Sequence, residues 1–258
     1  MLLAIDVGNT ETKLGFFADA DDEVIKSWRI TTESRRTADE LGALFTQLFA
    51  TASIDTSAIE AIVIASVVPK LDRPLEVACE RYFGAVPTFF KAHKQSLMAV
   101  RTARPAEVGA DLVAVAIGAQ RRFGAPLIVI SYGTATVFMA ISAENEYMGV
   151  AIAPGINISI DALVNRTAKL PQIALEAPGD AIGRDTISAL QSGIVYGFVG
   201  QTEALVQQFR KEMGVAARVV ATGGLASVVA KHSHVIDDVS PHLSLLGLRA
   251  FHHATKSD

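Results

Sequence analysis

The sequence predicts a mixed α/β chain of two similar domains, and three segments predict it. Leu2 to Phe17 reads as an apolar strand, a polar turn and a second apolar strand. Leu127 to Ile141 repeats that unit, with Gly133 standing where Gly8 stands and Ser131 where Asp6 stands. A repeated strand–turn–strand unit implies two like domains facing each other. Arg218 to Ala226 is a β-rich run ending in Gly223-Gly224 before a helix. Strand-like and helix-like stretches alternate elsewhere, as in a layered α/β protein.

The first turn carries the chemistry. Asp6 closes its strand, Val7 follows, and Gly8 sits where a tight hairpin needs a residue without a Cβ. Asn9, Thr10, Glu11 and Thr12 make the tip polar, and Lys13 adds a cation. Amides and hydroxyls there suit phosphate oxygens, and Asp6 suits the hydrated magnesium ion that a nucleotide carries. A plain hairpin with a polar tip reads the same way locally. The second copy, with Gly133 and Thr134, shifts the balance toward a ligand whose phosphates are gripped from two sides. Gly223 and Gly224 let backbone approach a flat ligand such as an adenine ring.

The elements follow in order. Trp28-Arg29-Ile30-Thr31 reads as a strand. Thr37-Ala-Asp-Glu40 matches a capping box, and the helix behind it places Leu41, Leu44, Phe45, Leu48 and Phe49 on one stripe. Ala61 to Val68 is an apolar run stopped by Pro69, the pattern of a central strand. Pro74 to Arg81 reads as helix and Val86 to Phe90 as strand. A long helix spans Ala110–Arg122 and opens on Glu107-Val-Gly-Ala-Asp111. Asp111 in its first turn either stabilises the helix dipole or serves as a base at the mouth of a cleft. Tyr147 to Gly155 is a strand ending in a Pro-Gly turn, and Ile156 to Thr167 a helix. Gly183-Arg-Asp-Thr-Ile187 launches the longest helix, to about Met213, with Gly193, Gly197 and Gly200 available for close packing. Leu243–Ala254 is the last helix.

Composition excludes several functions. Half of the 258 residues are hydrophobic and 19% are charged, so the chain is globular rather than disordered. A formal net charge of −4 gives no basic field for nucleic acid or an anionic membrane. Cys79 is the only cysteine, so no intrachain disulfide forms, and its helical context predicts burial. No basic n-region precedes the first strand, and no apolar run reaches the length of a membrane span. Five of the six histidines follow residue 230 and read as scattered surface groups.

The two hairpins and the Gly-Gly loop, in this order, resemble the acetate-kinase, sugar-kinase, heat-shock-protein and actin superfamily. That resemblance implies two ribonuclease H-like domains, the actin-like ATPase fold, here divided into residues 1–115 and 116–258 with a cleft between them. A finer match runs through Asp6-Val-Gly-Asn-Thr10 with Lys13, Arg29 with Thr37-Ala-Asp-Glu40, and Ser66-Val-Val-Pro69. It continues through Glu107-Val-Gly-Ala-Asp111, Gly133-Thr-Ala-Thr136, Ile152-Ala-Pro-Gly155 and Gly183 with Thr186. Gln191-Ser-Gly193, Thr222-Gly-Gly224 and Leu243 with Gly247-Leu248 complete it. Together these are similar to the type III pantothenate kinases, a family that includes Bvg accessory factor.

The resemblance implies ATP-dependent phosphorylation of pantothenate, the first step towards coenzyme A, by a cytoplasmic homodimer. It implies magnesium with ATP and a monovalent cation, potassium or ammonium. Asp6 to Lys13 then matches the first phosphate segment, Gly133 and Thr134 the second, and Gly223 and Gly224 the adenosine loop. Gly109, Ala110, Asp111 and Leu112 match the pantothenate segment, with Asp111 as general base, and Thr186 a substrate-binding threonine. Two departures stand out. Leu112 replaces the arginine that pairs with the pantothenate carboxylate, leaving Arg101 and Arg104 as nearby substitutes, and Ser131 replaces the aspartate at the monovalent-cation position. A tyrosine is missing near Thr102, and Val150 replaces a glycine. A kinase for another small hydroxylated acceptor, or a weakly active nucleotide-binding homologue with a regulatory role, therefore stays open beside the first reading.

Overall fold

The computed structural model describes residues 1–18, 23–167 and 170–256. The chain divides into two units, Met1–Arg122 with His242–Asp258, and Phe123–Pro241. The first contains β1 (Leu2–Val7), β2 (Glu11–Phe17), β3 (Val24–Thr31), α1 (Ala38–Thr51), β4 (Ala61–Ser66) and α2 (Pro69–Phe83). Short strands β5 (Thr88–Phe89) and β6 (Ala99–Val100) and helix α3 (Ala110–Phe123) follow. The second contains β7 (Leu127–Tyr132), β8 (Ala135–Ile141), β9 (Glu146–Pro154), α4 (Ile156–Arg166) and α5 (Thr186–Met213). It continues through β10 (Arg218–Thr222), α6 (Ala226–Ala230) and β11 (Asp238–Val239), before α7 (Leu243–Lys256) returns to the first unit.

In the first unit the sheet order is β3-β2-β1-β4-β5. β1 is antiparallel to β2 and parallel to β4, which fixes it as the central strand. All six of its residues are buried, so both of its faces are covered. Alternation sends Leu3, Ile5 and Val7 into a core with Leu41, Phe45 and Phe49 of α1 and Leu71, Leu75 and Phe83 of α2. The other face, with Leu2, Ala4 and Asp6, belongs to α7, which packs on β1, β2 and β4. A strand's period of two therefore delivers Asp6 to α7 rather than to the main core.

The second unit repeats this plan in the order β11-β10-β7-β8-β9. β7 is antiparallel to β8 and parallel to β10, as β1 is to β2 and β4. Ile128, Ile130 and Tyr132 enter a core with Ile156 and Ile160 of α4 and Ile194, Phe198 and Val206 of α5. The buried Tyr132 hydroxyl and Thr202 Oγ1 are 2.7 Å apart, and burial pushes the phenol up to about 12.

Several local expectations match the observed elements. Thr37 caps α1, and its partner Glu40 completes the capping box. Asp185 caps α5 through the Ile187 and Ser188 amides. Cys79 is buried on α2, and desolvation raises its thiol to about 12. Other boundaries differ. α2 begins at Pro69, five residues before the expected Pro74. Pro69 occupies the first helical turn, where a missing N–H costs nothing, and Pro74 is accommodated inside the helix. The strand expected over Val86 to Phe90 is reduced to Thr88–Phe89, because only Val63 and Ile64 of β4 pair with it. The division falls at Arg122/Phe123 rather than at 115/116, and the chain from His242 returns to the first unit, where α7 packs on β1, β2 and β4. His252 is buried rather than on the surface.

Candidate active site

The first unit gathers Asp6, Lys13, Asp111 and Ser244. Asp6 and Lys13 are cross-strand partners in register on β1 and β2. Their side chains meet at 3.4 Å, Lys13 Nζ donating to Asp6 Oδ2. The Ser244 hydroxyl, from the first turn of α7, donates to the same oxygen at 2.6 Å. Asp6 Oδ1 is buried and finds no hydrogen-bond partner among the described residues. A buried carboxylate oxygen without a donor is costly unless a cation or water faces it.

The turn itself is compact. The Gly8 N–H donates to the Glu11 carbonyl at 3.0 Å, and Asn9, Thr10 and Glu11 are exposed at the tip. Gly8 does not adopt a left-handed φ. A Cβ there would make a tight contact, 3.0 Å from the Glu11 carbonyl oxygen. Thr12 is buried and its hydroxyl meets that of Thr32 at 2.8 Å.

Asp111 occupies the first turn of α3, after Gly109 and beside Ala110 and Leu112. Burial first, and the Asp6 charge second, raise its carboxyl to about 6. The Leu112 amide and the Lys13 ammonium pull in the opposite direction. Such a group is ionised at neutral pH yet basic enough to take a proton, the property a general base needs. Arg104, one of the two nearby arginines in the sequence, is engaged at the surface with Glu107 at 3.0 Å.

α3 and α7 meet in close contact. A Cβ on Gly118 would run into the Leu243 carbonyl, and one on Gly247 into the Ala114 carbonyl. The two helices are thereby fixed against each other, one carrying Asp111 and the other Ser244. His242 precedes α7, and burial, then Lys13 and Arg29, lower its imidazole below the usual value. Sequence reading missed both Ser244 and His242. A signal for Ser244 existed: it shares a helical face with Gly247 and Leu248, a polar group on a buried stripe.

The second unit gathers a different set. The Gly133 N–H donates to the Ala135 carbonyl at 3.1 Å, and Gly133 and Thr134 are exposed. Pro154 pairs with Ala135, and its carbonyl accepts from Thr136 Oγ1 at 3.3 Å. Gly223 has φ +98, and a Cβ there would press on the Tyr132 backbone. The second turn, the Pro-Gly turn and the Gly223-Gly224 loop thus converge. Ser131 lies between Val137 of β8 and Thr222 of β10 in register. Thr186 is exposed at the first position of α5.

The fold is that of the actin-like and sugar-kinase ATPases. A Baf family protein from Campylobacter jejuni superposes with a TM-score of 0.62 at 16% identity, covering 99% of this chain and 100% of that one. A protein assigned as a 2-dehydro-3-deoxygalactonokinase from Sinorhizobium meliloti does so at 0.60 and 14%, covering 98% and 96%.

Sequence comparison is more specific. The type III pantothenate kinase family model matches residues 2–208. The type III pantothenate kinase of Anaeromyxobacter sp. (strain K) is 45% identical over 253 residues, 98% of each chain. That of Myxococcus xanthus is 45% identical over 249 residues, 96% of each, and that of Roseiflexus sp. (strain RS-1) 42% over 257, all of both. The chain belongs to the type III pantothenate kinase family.

Proposed function

We propose that this protein phosphorylates the primary hydroxyl of pantothenate with ATP, the entry step to coenzyme A. The observation that carries the reading is Asp111, a carboxyl raised to about 6 beside Asp6 and Lys13, in a chain of this family. The hydroxyl oxygen attacks the γ-phosphorus, the bond to the bridging oxygen breaks, and ADP leaves. The hydroxyl proton passes to the Asp111 carboxylate. Phosphoryl transfer of this kind relies on positioning and charge neutralisation more than on covalent chemistry. Lys13 and the amides of Gly8, Asn9 and Thr10 are assigned to the phosphates, with Gly133, Thr134, Gly223 and Gly224 assigned to nucleotide in the second unit.

Magnesium fits the first unit. Asp6 Oδ1 is buried without a donor among the described residues, and nucleotide-borne magnesium needs only one or two carboxylates besides phosphate and water. When bound, it would neutralise charge on the polyphosphate. A monovalent cation at Ser131 fits poorly. The residues in register there, Val137 and Thr222, bring no carboxylate, and a hydroxyl holds a bare cation weakly. No step is assigned to potassium or ammonium.

Leu112 favours a second reading, a kinase for a related hydroxylated acceptor without a carboxylate. It stands one residue from Asp111 and brings no charge to pair with pantothenate. A homodimer and a cytoplasmic location belong to the same proposal. The open face of α5 at Gly193, Gly197 and Gly200 leaves room for a second copy, and no described helix is long and apolar enough to cross a membrane.

The test is ADP release from ATP and magnesium with and without pantothenate. Turnover that requires pantothenate supports the first reading. Turnover only with another alcohol supports the second, and nucleotide binding without any turnover points to a regulatory homologue.

A further inference from the structure

We propose that Ser244 is a positioning residue for phosphoryl transfer, acting by clamping one oxygen of Asp6 so that the other faces the nucleotide's metal ion. The inference rests on the kinase reading above.

The geometry is specific. Asp6 is 4% exposed and Ser244 2%, so neither group relies on bulk water for its partner. The Ser244 hydroxyl is 2.6 Å from Asp6 Oδ2, a short charge-assisted bond between residues 238 positions apart. Lys13 reaches that same oxygen at 3.4 Å. Both donors therefore converge on Oδ2, and Oδ1 is left buried with no partner among the described residues. A carboxylate held by one oxygen has its plane and its rotamer fixed, and the other oxygen becomes the one presented. Partners that orient a ligating carboxylate in this way typically govern metal affinity by ~10 to 100-fold.

The helix that carries Ser244 is itself held. Gly118 and Gly247 allow α3 and α7 to touch backbone to backbone, so the clamp on Asp6 and the base Asp111 ride on one helix pair. A substitution at Ser244 thus loosens Asp6 without removing any group that touches the acceptor.

The test uses the full chain and a non-hydrolysable ATP analogue, titrated by calorimetry with and without magnesium. Ser244→Ala is expected to raise the magnesium concentration for half-saturation about tenfold. Metal-free nucleotide affinity should stay within about twofold, and kcat should fall while KM for pantothenate holds. Melting temperature reports whether the variant is folded. A double-mutant cycle supplies the second arm: with Asp6→Asn already in place, Ser244→Ala should have no further effect on the magnesium-linked affinity. Unchanged magnesium dependence in Ser244→Ala, an equal loss of metal-free affinity, or additive losses in the cycle would overturn the proposal. The kinase reading fails separately. A wild type that binds magnesium and nucleotide but never turns over pantothenate sinks that reading and leaves the clamp standing.

Discussion

The β1–β2 and β7–β8 hairpins share their strand order, their pairing senses and their glycine turns, yet they carry different chemistry. In the first, the last position of the central strand on the α7-facing side is Asp6, opposite Lys13. In the second, the matching position is Ser131, opposite Val137. Gly8 is tightly placed, with a Cβ 3.0 Å from a carbonyl oxygen, while the nearest atom to a Cβ on Gly133 is 3.8 Å away. Topology is set by the alternating apolar residues that both hairpins keep. Charge is set by single positions at the strand ends, and those are free to differ once the core face is satisfied.

The largest expected effect comes from the proposed base. Asp111→Asn should lower turnover by about 100 to 10,000-fold, the usual share of general-base catalysis. It should also stabilise the fold. The folded carboxyl lies at about 6 against an ordinary 3.8, so the charged form is disfavoured in the native state, and stability is lost as pH rises through that window. At pH 8 the penalty is complete, and the amide removes it. A shift of that size corresponds to about 3 kcal/mol at most, and partial solvent exposure of Asp111 reduces the expected gain to about 1–2 kcal/mol. Thermal melts at about pH 8 and about pH 4 would check it: the gain should be large at the first and small at the second, where the carboxyl is protonated in the native state. The same ionisation predicts that kcat/KM falls as pH drops below about 6, read from a pH–rate profile.

Acceptor recognition comes next. Leu112→Arg should lower KM for pantothenate by about tenfold or more, since charge-assisted pairing with a buried carboxylate contributes on the order of 2–5 kcal/mol. An unchanged KM would favour the reading with an uncharged acceptor. Backbone geometry gives a smaller effect that separates the hairpins' supporting loops. Gly223→Ala, at φ +98 and against the Tyr132 backbone, should cost about 1–3 kcal/mol in chemical denaturation. Gly133→Ala should cost less, because a Cβ there makes only an ordinary contact at 3.8 Å.

Much of this architecture was legible in the sequence. The repeated hairpin announced the repeated sheet, Thr37 and Glu40 announced the start of α1, and Gly183-Arg-Asp-Thr-Ile187 announced α5. These are local signals, written in residues within a turn or a strand of each other. What was not legible depends on tertiary pairing. The contact between Asp6 and Ser244 spans nearly the whole chain; the buried stripe of α7 marks Ser244 as a polar group facing inward, but nothing local names Asp6 as its partner. The early start of α2 was hidden because Pro74 reads as a boundary, whereas the helix tolerates it once Leu71, Leu75 and Phe83 are buried on the sheet.

The proposed division of labour between the hairpins is tested most directly by comparing Asp6→Asn with Ser131→Ala in magnesium-dependent binding of a non-hydrolysable ATP analogue. The account predicts at least a tenfold loss of magnesium-linked affinity for Asp6→Asn and a change within about twofold for Ser131→Ala, with metal-free affinity unaffected by the serine change. An equal or larger loss from Ser131→Ala would contradict it.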